Sequence, residues 1–381
     1  MRGEPSITLS PSLITAWEEA VLAFAKMPPG MARTRTPRVQ LFNRLISQET
    51  PTVSKLWHVF TQERGALGKK LLADKRSIVG YLLGFHLVNV ARMELLMARA
   101  AARHDFNNIW GKHGGRWVWH DLGAGTGAMS QWLVHHLEGR GFPFANLTLQ
   151  LTENLGGLLD AARAALAAGP QGYQLKTQRQ ALEDLKFAVP EAGVRYGYSL
   201  GYVWNELSRN RRALQTLKDR FLSHPARGDE AMIALLEPGM EEQSRGAMEL
   251  RDELTAAGYV ALYPCPTSDA CPMLEGSRDW CYSEGVFAPP ATVKAIDKKL
   301  GLDRAKLSGS LFLFATPPLT KHMAARGKGA EAIVVGRPLK RSAHGKKSSD
   351  FEYLLCTPGG LNKSPSTTGN NFRLRGTSLN S

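Results

Sequence analysis

Cys265, Cys271 and Cys281 fall within one short stretch, Cys356 stands far downstream, and these four are all the cysteines of the chain. Four thiolates are the complement of a tetrahedral zinc site or of an iron-sulfur cluster. The spacing, C-x5-C, C-x9-C and then 74 intervening residues, differs from the paired C-x2-C knuckles of zinc ribbons. Prolines adjoin the first two cysteines, and Cys-Pro pairs recur at iron-sulfur ligands. Two disulfides, or four small buried hydrophobes, would use the same residues. The start, Met1-Arg2-Gly3-Glu4-Pro5, runs into a polar stretch without an apolar signal segment, so a reducing compartment is expected and disulfides are not.

A second chemical element is Asp121-Leu122-Gly123-Ala124-Gly125-Thr126-Gly127, which follows a strand-like run and opens a helix-like one. Glycines let a backbone approach a ligand closely, and the helix N-terminus beyond offers free N–H groups to a carboxylate. The spacing is G-x-G-x-G, not the dinucleotide G-x-G-x-x-G. A bare carboxylate at Asp121 is poorly placed beside a pyrophosphate, which demotes NAD. Asp121 and the next strand-end acid, Glu153, suit S-adenosylmethionine, with Asp121 supporting the loop or the amino-acid end and Glu153 accepting from two ribose hydroxyls. Ligands of open parallel sheets bind at the carboxyl ends of strands. Asn205 and Glu206, after a third strand, are therefore the candidates to meet a methyl acceptor, although helix capping would use the same residue types. Neither an Asn-Pro-Pro-aromatic tetrad nor a spare catalytic cysteine is visible, and the acceptor stays open.

Lysine and arginine number 48 against 34 acids, a net charge of +14. Residues 31–70 hold eight basic residues against two acids, and residues 321–347 hold eight against Glu331 alone. Two separated basic segments make nucleic acid the leading partner class, with Arg337, Lys340 and Arg341 as candidate phosphate contacts. The most apolar helical stretch, around residues 81–103, is interrupted by His86, Arg92, Glu94 and Arg99. No membrane span is expected from it.

The elements that must position these residues follow from periodicity. Residues 10–105 read as helical, with Arg92, Arg99 and Arg103 on one face of the last helix and Val90, Met93 and Met97 opposite. From Arg116 the pattern becomes β/α: strands at 117–121, 147–151, 196–203 and 231–236 alternate with helices, predicting a doubly wound sheet. A helix ending near Ala257 before Gly258, a cysteine-rich interruption over 261–285, a helix at 291–300 and strands at 311–314, 332–335 and 351–355 complete the reading. Eleven of the last 20 residues are Ser, Thr or Asn, which predicts a disordered tail.

In this order, the glycine loop, Asn205-Glu206-Leu207, Leu236-Glu237-Pro238-Gly239, the cysteines with Asp279-Trp280-Cys281, Gly336-Arg337-Pro338-Leu339-Lys340-Arg341 and Leu355-Cys356-Thr357-Pro358 together resemble the methyltransferase-like small-ribosomal-subunit assembly proteins of mitochondria and their bacterial homologues. The resemblance implies an α/β class I S-adenosylmethionine-dependent methyltransferase (Rossmann-like) fold with a helical N-terminal domain and a cysteine-rich metal-binding insertion. It implies boundaries at 1–105 (helical), 106–260 (core), 261–290 (insertion), 291–360 (basic strands) and 361–381 (tail). It further implies a 4Fe-4S cluster on Cys265, Cys271, Cys281 and Cys356, with zinc as the alternative metal, and association with the small ribosomal subunit and its rRNA. The polar stretch after Gly360 departs from the basic C-terminus of that family. Expected, then, is a monomeric rRNA methyltransferase, or else a non-catalytic assembly factor that keeps both cofactor sites. A bacterial member would be cytoplasmic and a eukaryotic one mitochondrial.

Overall fold

The computed structural model describes residues 6–25, 38–62, 71–72, 74–207, 210–276, 279–325, 332–335, 339–343, 346–364 and 367–368. The first nine strands in chain order are β1 (His104–Asp105), β2 (Arg116–Leu122), β3 (Leu147–Glu153), β4 (Gln174–Arg179), β5 (Val194–Gly201), β6 (Ala231–Glu237), β7 (Val260–Tyr263), β8 (Ser283–Val286) and β9 (Lys306–Ala315). All but β1 join one sheet of order β4-β3-β2-β5-β6-β9-β7, with β8 paired to β9. Strands β2 to β6 pair in parallel, whereas β9 runs antiparallel to both β6 and β7. This is the mostly parallel, mixed sheet of an α/β fold. Chain order reverses between β2, which leads outward through β3 to β4, and β5, which leads the other way. Such a switch point opens a crevice at the strand ends.

Burial explains which strands could be read from sequence. Every residue of β6 is buried, as a strand covered on both faces requires. Strand β4, Gln-Leu-Lys-Thr-Gln-Arg, lies at the sheet edge with almost every residue exposed. Its composition carries no apolar alternation, and sequence reading passes over it. Strand β5 ends at Gly201, earlier than the expected Val203, because Tyr202 turns into the left-handed region at φ 66°.

The N-terminal helices share their core with one face of the sheet. Trp17, Phe42, Val53, Leu82 and Leu96 belong to the same buried cluster as Trp119, Trp132 and Leu149. Lys75–Ala101 is long and apolar enough to cross a membrane by length and composition, contrary to the sequence expectation, but 78% of its most apolar window is buried inside the protein. A π turn, Leu82–His86, interrupts this helix. Two of its carbonyls receive side-chain donors, Leu82 from Trp17 Nε1 at 3.0 Å and Gly84 from the buried Arg304. Side chains inserted into the helical ladder are a physical cause of such a distortion.

The three arginines of its last segment are not a solvated stripe. Arg92 donates to the carbonyl of Ser308 at 3.0 Å, Arg99 to that of Glu284 at 3.2 Å and Arg103 to that of Pro264 at 2.9 Å. They fasten the helix to β9, to β8 and to the start of the cysteine segment. Beyond β9, β10 (Ala324–Ala325) pairs with β1, and β11 (Ile333–Val334), β12 (Leu339–Ala343), β13 (Lys346–Glu352), β14 (Leu354–Thr357), β15 (Gly360–Lys363) and β16 (Thr367–Thr368) form two small antiparallel sheets. Strand β15 therefore extends regular structure past Gly360, where a disordered tail was expected; residues 369–381 lie outside the described residues.

One packing contact tests the sheet directly. A Cβ added at Gly197 in β5 would stand 1.9 Å from the Trp119 ring of β2. Gly197→Ala should destabilise the fold by about 1–3 kcal/mol through overpacking. Urea denaturation would show it, and an unchanged midpoint and slope would contradict the packing.

Candidate functional site

At the switch point, about 400 Å³ of space, open solvent included, is lined by the glycine loop, by Gly201, Tyr202 and Leu236 at the ends of β5 and β6, and by Tyr81 and Asn89 from the N-terminal helix. The loop glycines adopt φ of 68°, 53° and 76° at Gly123, Gly125 and Gly127, a region that L side chains resist. Two also sit under close neighbours. A Cβ would lie 2.4 Å from Val203 at Gly123 and 2.9 Å from Ala162 at Gly127, whereas at Gly125 nothing comes nearer than 4.0 Å. The loop is thus pressed down at both ends and roomy at its middle.

Three buried side chains hold it there. Asp121 Oδ2 accepts from Ser130 Oγ at 2.5 Å and Oδ1 from Ser199 Oγ at 2.9 Å. Desolvation pushes its carboxyl up to about 6, against the opposing pull of the two hydroxyls. Glu153 Oε2 accepts from Gly125 N at 3.0 Å and Oε1 from Leu155 N at 2.9 Å, and its pKa is raised by burial. Each oxygen expected to meet a ribose hydroxyl therefore already carries one backbone donor, and Glu153 is not among the residues of the cavity wall.

The third support, His86, was not identified from sequence. It sits at the end of the π turn, fully buried, with Nδ1 at 2.9 Å from Thr126 Oγ1 and Nε2 at 2.8 Å from Gln131 Oε1. Gln131 Nε2 donates to the carbonyl of Ala165, which fixes Oε1 toward the imidazole. Nε2 is then the protonated nitrogen, and Nδ1 accepts from Thr126. Burial lowers the His86 pKa to about 4. The only prior hint is that His86 interrupts an apolar helical stretch, as Arg92, Glu94 and Arg99 also do.

The helix Ala128–Gly139 begins at Gly127 without a side-chain cap, and its first residues, Ala128 and Met129, line the cavity. Uncapped N–H groups at that end suit a carboxylate. Together with the glycine cradle they fit the amino-acid end of S-adenosylmethionine. Asn205 and Glu206 occupy the short helix Trp204–Leu207 and are not in the cavity wall. Trp204 packs away from it, its backbone N–H donating to Glu237 Oε1 at 2.8 Å and its indole to the carbonyl of Gly246 at 3.2 Å.

The four cysteines are free thiols. Cys271, Cys281 and Cys356 are buried in one hydrophobic cluster and Cys265 packs against it. Cys356 in β14 pairs with Ile333 in β11, and both share the buried cluster of Cys271 and Cys281. Burial first, and then the neighbouring charges of Cys265 and Cys271, push the Cys356 thiol up to about 12; burial and Cys265 push Cys271 to about 11. Among the described residues no group of three or more His, Cys, Asp or Glu side chains is arranged to hold a metal ion. The donor chemistry and the gathering of the thiols suit a soft metal or cluster, but coordination geometry is not formed. Of the basic residues singled out for RNA, Arg337 lies outside the described residues, and Lys340 and Arg341 belong to β12.

The model of the family described as mitochondrial small ribosomal subunit Rsm22 matches residues 158–342. The matched stretch is a little under half of the chain. It contains Asn205-Glu206-Leu207, Leu236-Glu237-Pro238-Gly239 and three of the four cysteines, while the glycine loop and Cys356 lie outside it. The matched stretch and the loop are nevertheless one structure, since β5 and β6 continue the sheet that starts at β2. No curated protein gives a significant match. Solved structures similar to the chain include a proposed RNA methyltransferase of Pyrococcus horikoshii (11% identity, TM-score 0.32, covering 59% of this chain and 83% of that one). Others are the magnesium protoporphyrin IX methyltransferase of Synechocystis PCC 6803 (10%, 0.30, 70% and 97%) and the [4+2]-cyclase SpnF (13%, 0.32, 60% and 81%). Similarities this distant assign no substrate.

The His86 contacts give a signed expectation. His86→Ala should cost about 1–3 kcal/mol at pH 7, because Thr126 and Gln131 lose a buried partner. Unfolded His86 takes a proton near its ordinary 6.5 and folded His86 only near about 4, so wild type loses this residue's share of stability as pH falls through that window, over and above the loss from the other buried histidines that both proteins share. The gap between the two should therefore narrow from pH 7 to pH 4.5 in urea titrations. A gap that widens would contradict the buried, neutral imidazole.

Proposed function

We propose that the protein is an S-adenosylmethionine-dependent methyltransferase that acts on RNA of the small ribosomal subunit during its assembly or translation. The observation that carries this reading is the cradle at the switch point: a positive-φ glycine loop, a helix N-terminus without a side-chain cap and the buried strand-end acid Asp121 around one cavity, with Glu153 holding the Gly125 amide from outside the cavity wall. Bound there, S-adenosylmethionine supplies an electrophilic methyl group. Asp121, Gly123, Gly125, Gly127 and Glu153 are the proposed cofactor residues, with Asp121 and His86 fixing the loop. Tyr81, Asn89 and Tyr202 form walls that exclude water. The Rsm22 match supports the ribosomal partner, and the net charge of +14 supports contact with its RNA through Arg337, Lys340 and Arg341.

Cys265, Cys271, Cys281 and Cys356 are proposed to bind a 4Fe-4S cluster, with zinc as the competing metal. The cluster would tie the β11-β14-β15 sheet to the segment after β7. One observation favours a second reading. Asn205 and Glu206 stand outside the cavity wall, so a non-catalytic RNA-binding assembly factor with an intact cofactor pocket also accommodates the site. Mitochondria are the proposed location in a eukaryote, and the cytoplasm in a bacterium.

Labelled methyl transfer to small-subunit RNA separates the two readings. The enzyme reading expects incorporation by wild type and none by Gly125→Arg, whose side chain would fill the loop's open centre; no incorporation by wild type would favour the assembly factor. Glu153→Ala should weaken S-adenosylmethionine binding by about 1–3 kcal/mol, since the Gly125 and Leu155 amides lose their acceptor. Calorimetry showing wild-type affinity in both variants would remove the pocket assignment.

A further inference from the structure

One face of the helix Glu241–Ala256 addresses the three cysteines of the segment that follows it. Met248 Sδ accepts from the backbone N–H of Cys281 at 3.3 Å. Asp252 accepts from the backbone N–H of Cys271, with both carboxylate oxygens at 3.0 Å. Arg251 points its Nε–H at Cys265 Sγ across 3.4 Å. Residues 248, 251 and 252 are spaced i, i+3 and i+4, so one turn of helix supplies one contact to each cysteine.

Arg251 is the unusual member, with its side chain only 2% exposed. A buried guanidinium is costly unless its donors are met and its charge is balanced. Its terminal nitrogens are met: NH1 donates to Asp252 Oδ1 at 2.6 Å and to the carbonyl of Asp269, and NH2 to the carbonyl of Thr267 at 2.5 Å. The Nε–H goes to sulfur. A neutral thiol is a weak acceptor, whereas a thiolate is a strong one. Asp252, whose charge would balance Arg251 alone, is shared with the Cys271 amide. The arrangement is thus a fixed cation whose Nε–H meets the Cys265 sulfur, braced by the loop that carries that sulfur.

We propose that Arg251 is a positioning residue for a thiolate-bound redox centre: its N–H···S bond to Cys265 and its buried charge stabilise the reduced, more negative form and raise the reduction potential. The inference rests on the reading that the four thiolates bind an iron-sulfur cluster, whose potential responds to hydrogen bonds at sulfur and to local charge. It assigns Asp252 the opposite influence, because its carboxylate accepts from the Cys271 amide and so sets a negative charge beside that cysteine.

The test is a spectroelectrochemical titration of the full chain purified without oxygen, alongside iron and sulfide content. Arg251→Met should keep the cluster and lower its electron affinity about tenfold, a shift of about 59 mV to more negative potential for one electron. Arg251→Lys should stay close to wild type, since charge is kept and only the fork is lost. Asp252→Asn, which leaves Arg251 and an acceptor for the Cys271 amide in place, should move the potential the other way; it decides the matter if Arg251→Met does not fold. A wild-type midpoint in Arg251→Met, or in Asp252→Asn, overturns the inference while leaving the cluster in place. Equal loss of cluster and stability in the Met and Lys variants overturns it in favour of a purely structural brace. Wild-type protein with zinc or without metal removes the cluster reading itself and the inference with it.

Discussion

The structure depends on holding five residues of backbone, Gly123 to Gly127, in a conformation that the chain would not otherwise keep. Positive φ at three glycines removes the ordinary helical or extended alternatives, and only the first two amides of the loop, Gly123 and Ala124, bond to a strand, both donating to the Thr152 carbonyl of β3. It is held by carboxylates and an imidazole taken out of water. Asp121 and Glu153 both have raised pKa values through burial. That cost is offset because each carboxylate oxygen receives a donor. Glu153 binds the loop's own amide, Asp121 ties the following helix to β5 through Ser130 and Ser199, and His86 reaches Thr126 from the N-terminal helix.

This arrangement explains why the helical N-terminal region is part of the site. The π turn delivers His86 to the loop, while Tyr81 and Asn89 close the cavity on the side away from the sheet. Asn89 is itself positioned by Arg92 NH1 at 2.9 Å, and Arg92 bonds to the Ser308 carbonyl and lies over the Tyr202 ring at 5.6 Å. A chain of contacts therefore runs from β9 through the helix to the cavity wall. Farther along the same helix, Arg103 reaches the carbonyl of Pro264, next to Cys265. Pocket and cysteine segment share one scaffold.

What sequence could reveal was whatever is local. Asp121, its glycines and Glu153 lie at strand ends within a βαβ pattern, and adjacency in sequence is adjacency in space. The buried parallel strands and the helix Ala291–Leu300 were legible for the same reason. His86 was not, because its partners are 40 and 45 residues away and a histidine in an apolar helix has no distinctive spacing. Arg251 was hidden similarly, as an ordinary charged residue of an amphipathic helix. The arginine stripe was read as having one cationic face, but helical periodicity cannot tell water from backbone carbonyls as the partner. Strand β4 was missed because an exposed edge strand needs no apolar alternation. Asn205 and Glu206 were placed by analogy with strand ends, and the left-handed turn at Tyr202, invisible to periodicity, sets them on a short helix outside the cavity wall.

The most direct test of the pocket is amide hydrogen exchange on the wild-type chain with and without S-adenosylmethionine. The account predicts saturable protection at Gly125, Leu155 and the first turn of Ala128–Gly139, with β4 unaffected, because the ligand would cover the loop and the uncapped helix end only. Unchanged exchange at the loop under saturating cofactor, or protection confined to another part of the chain, would contradict it.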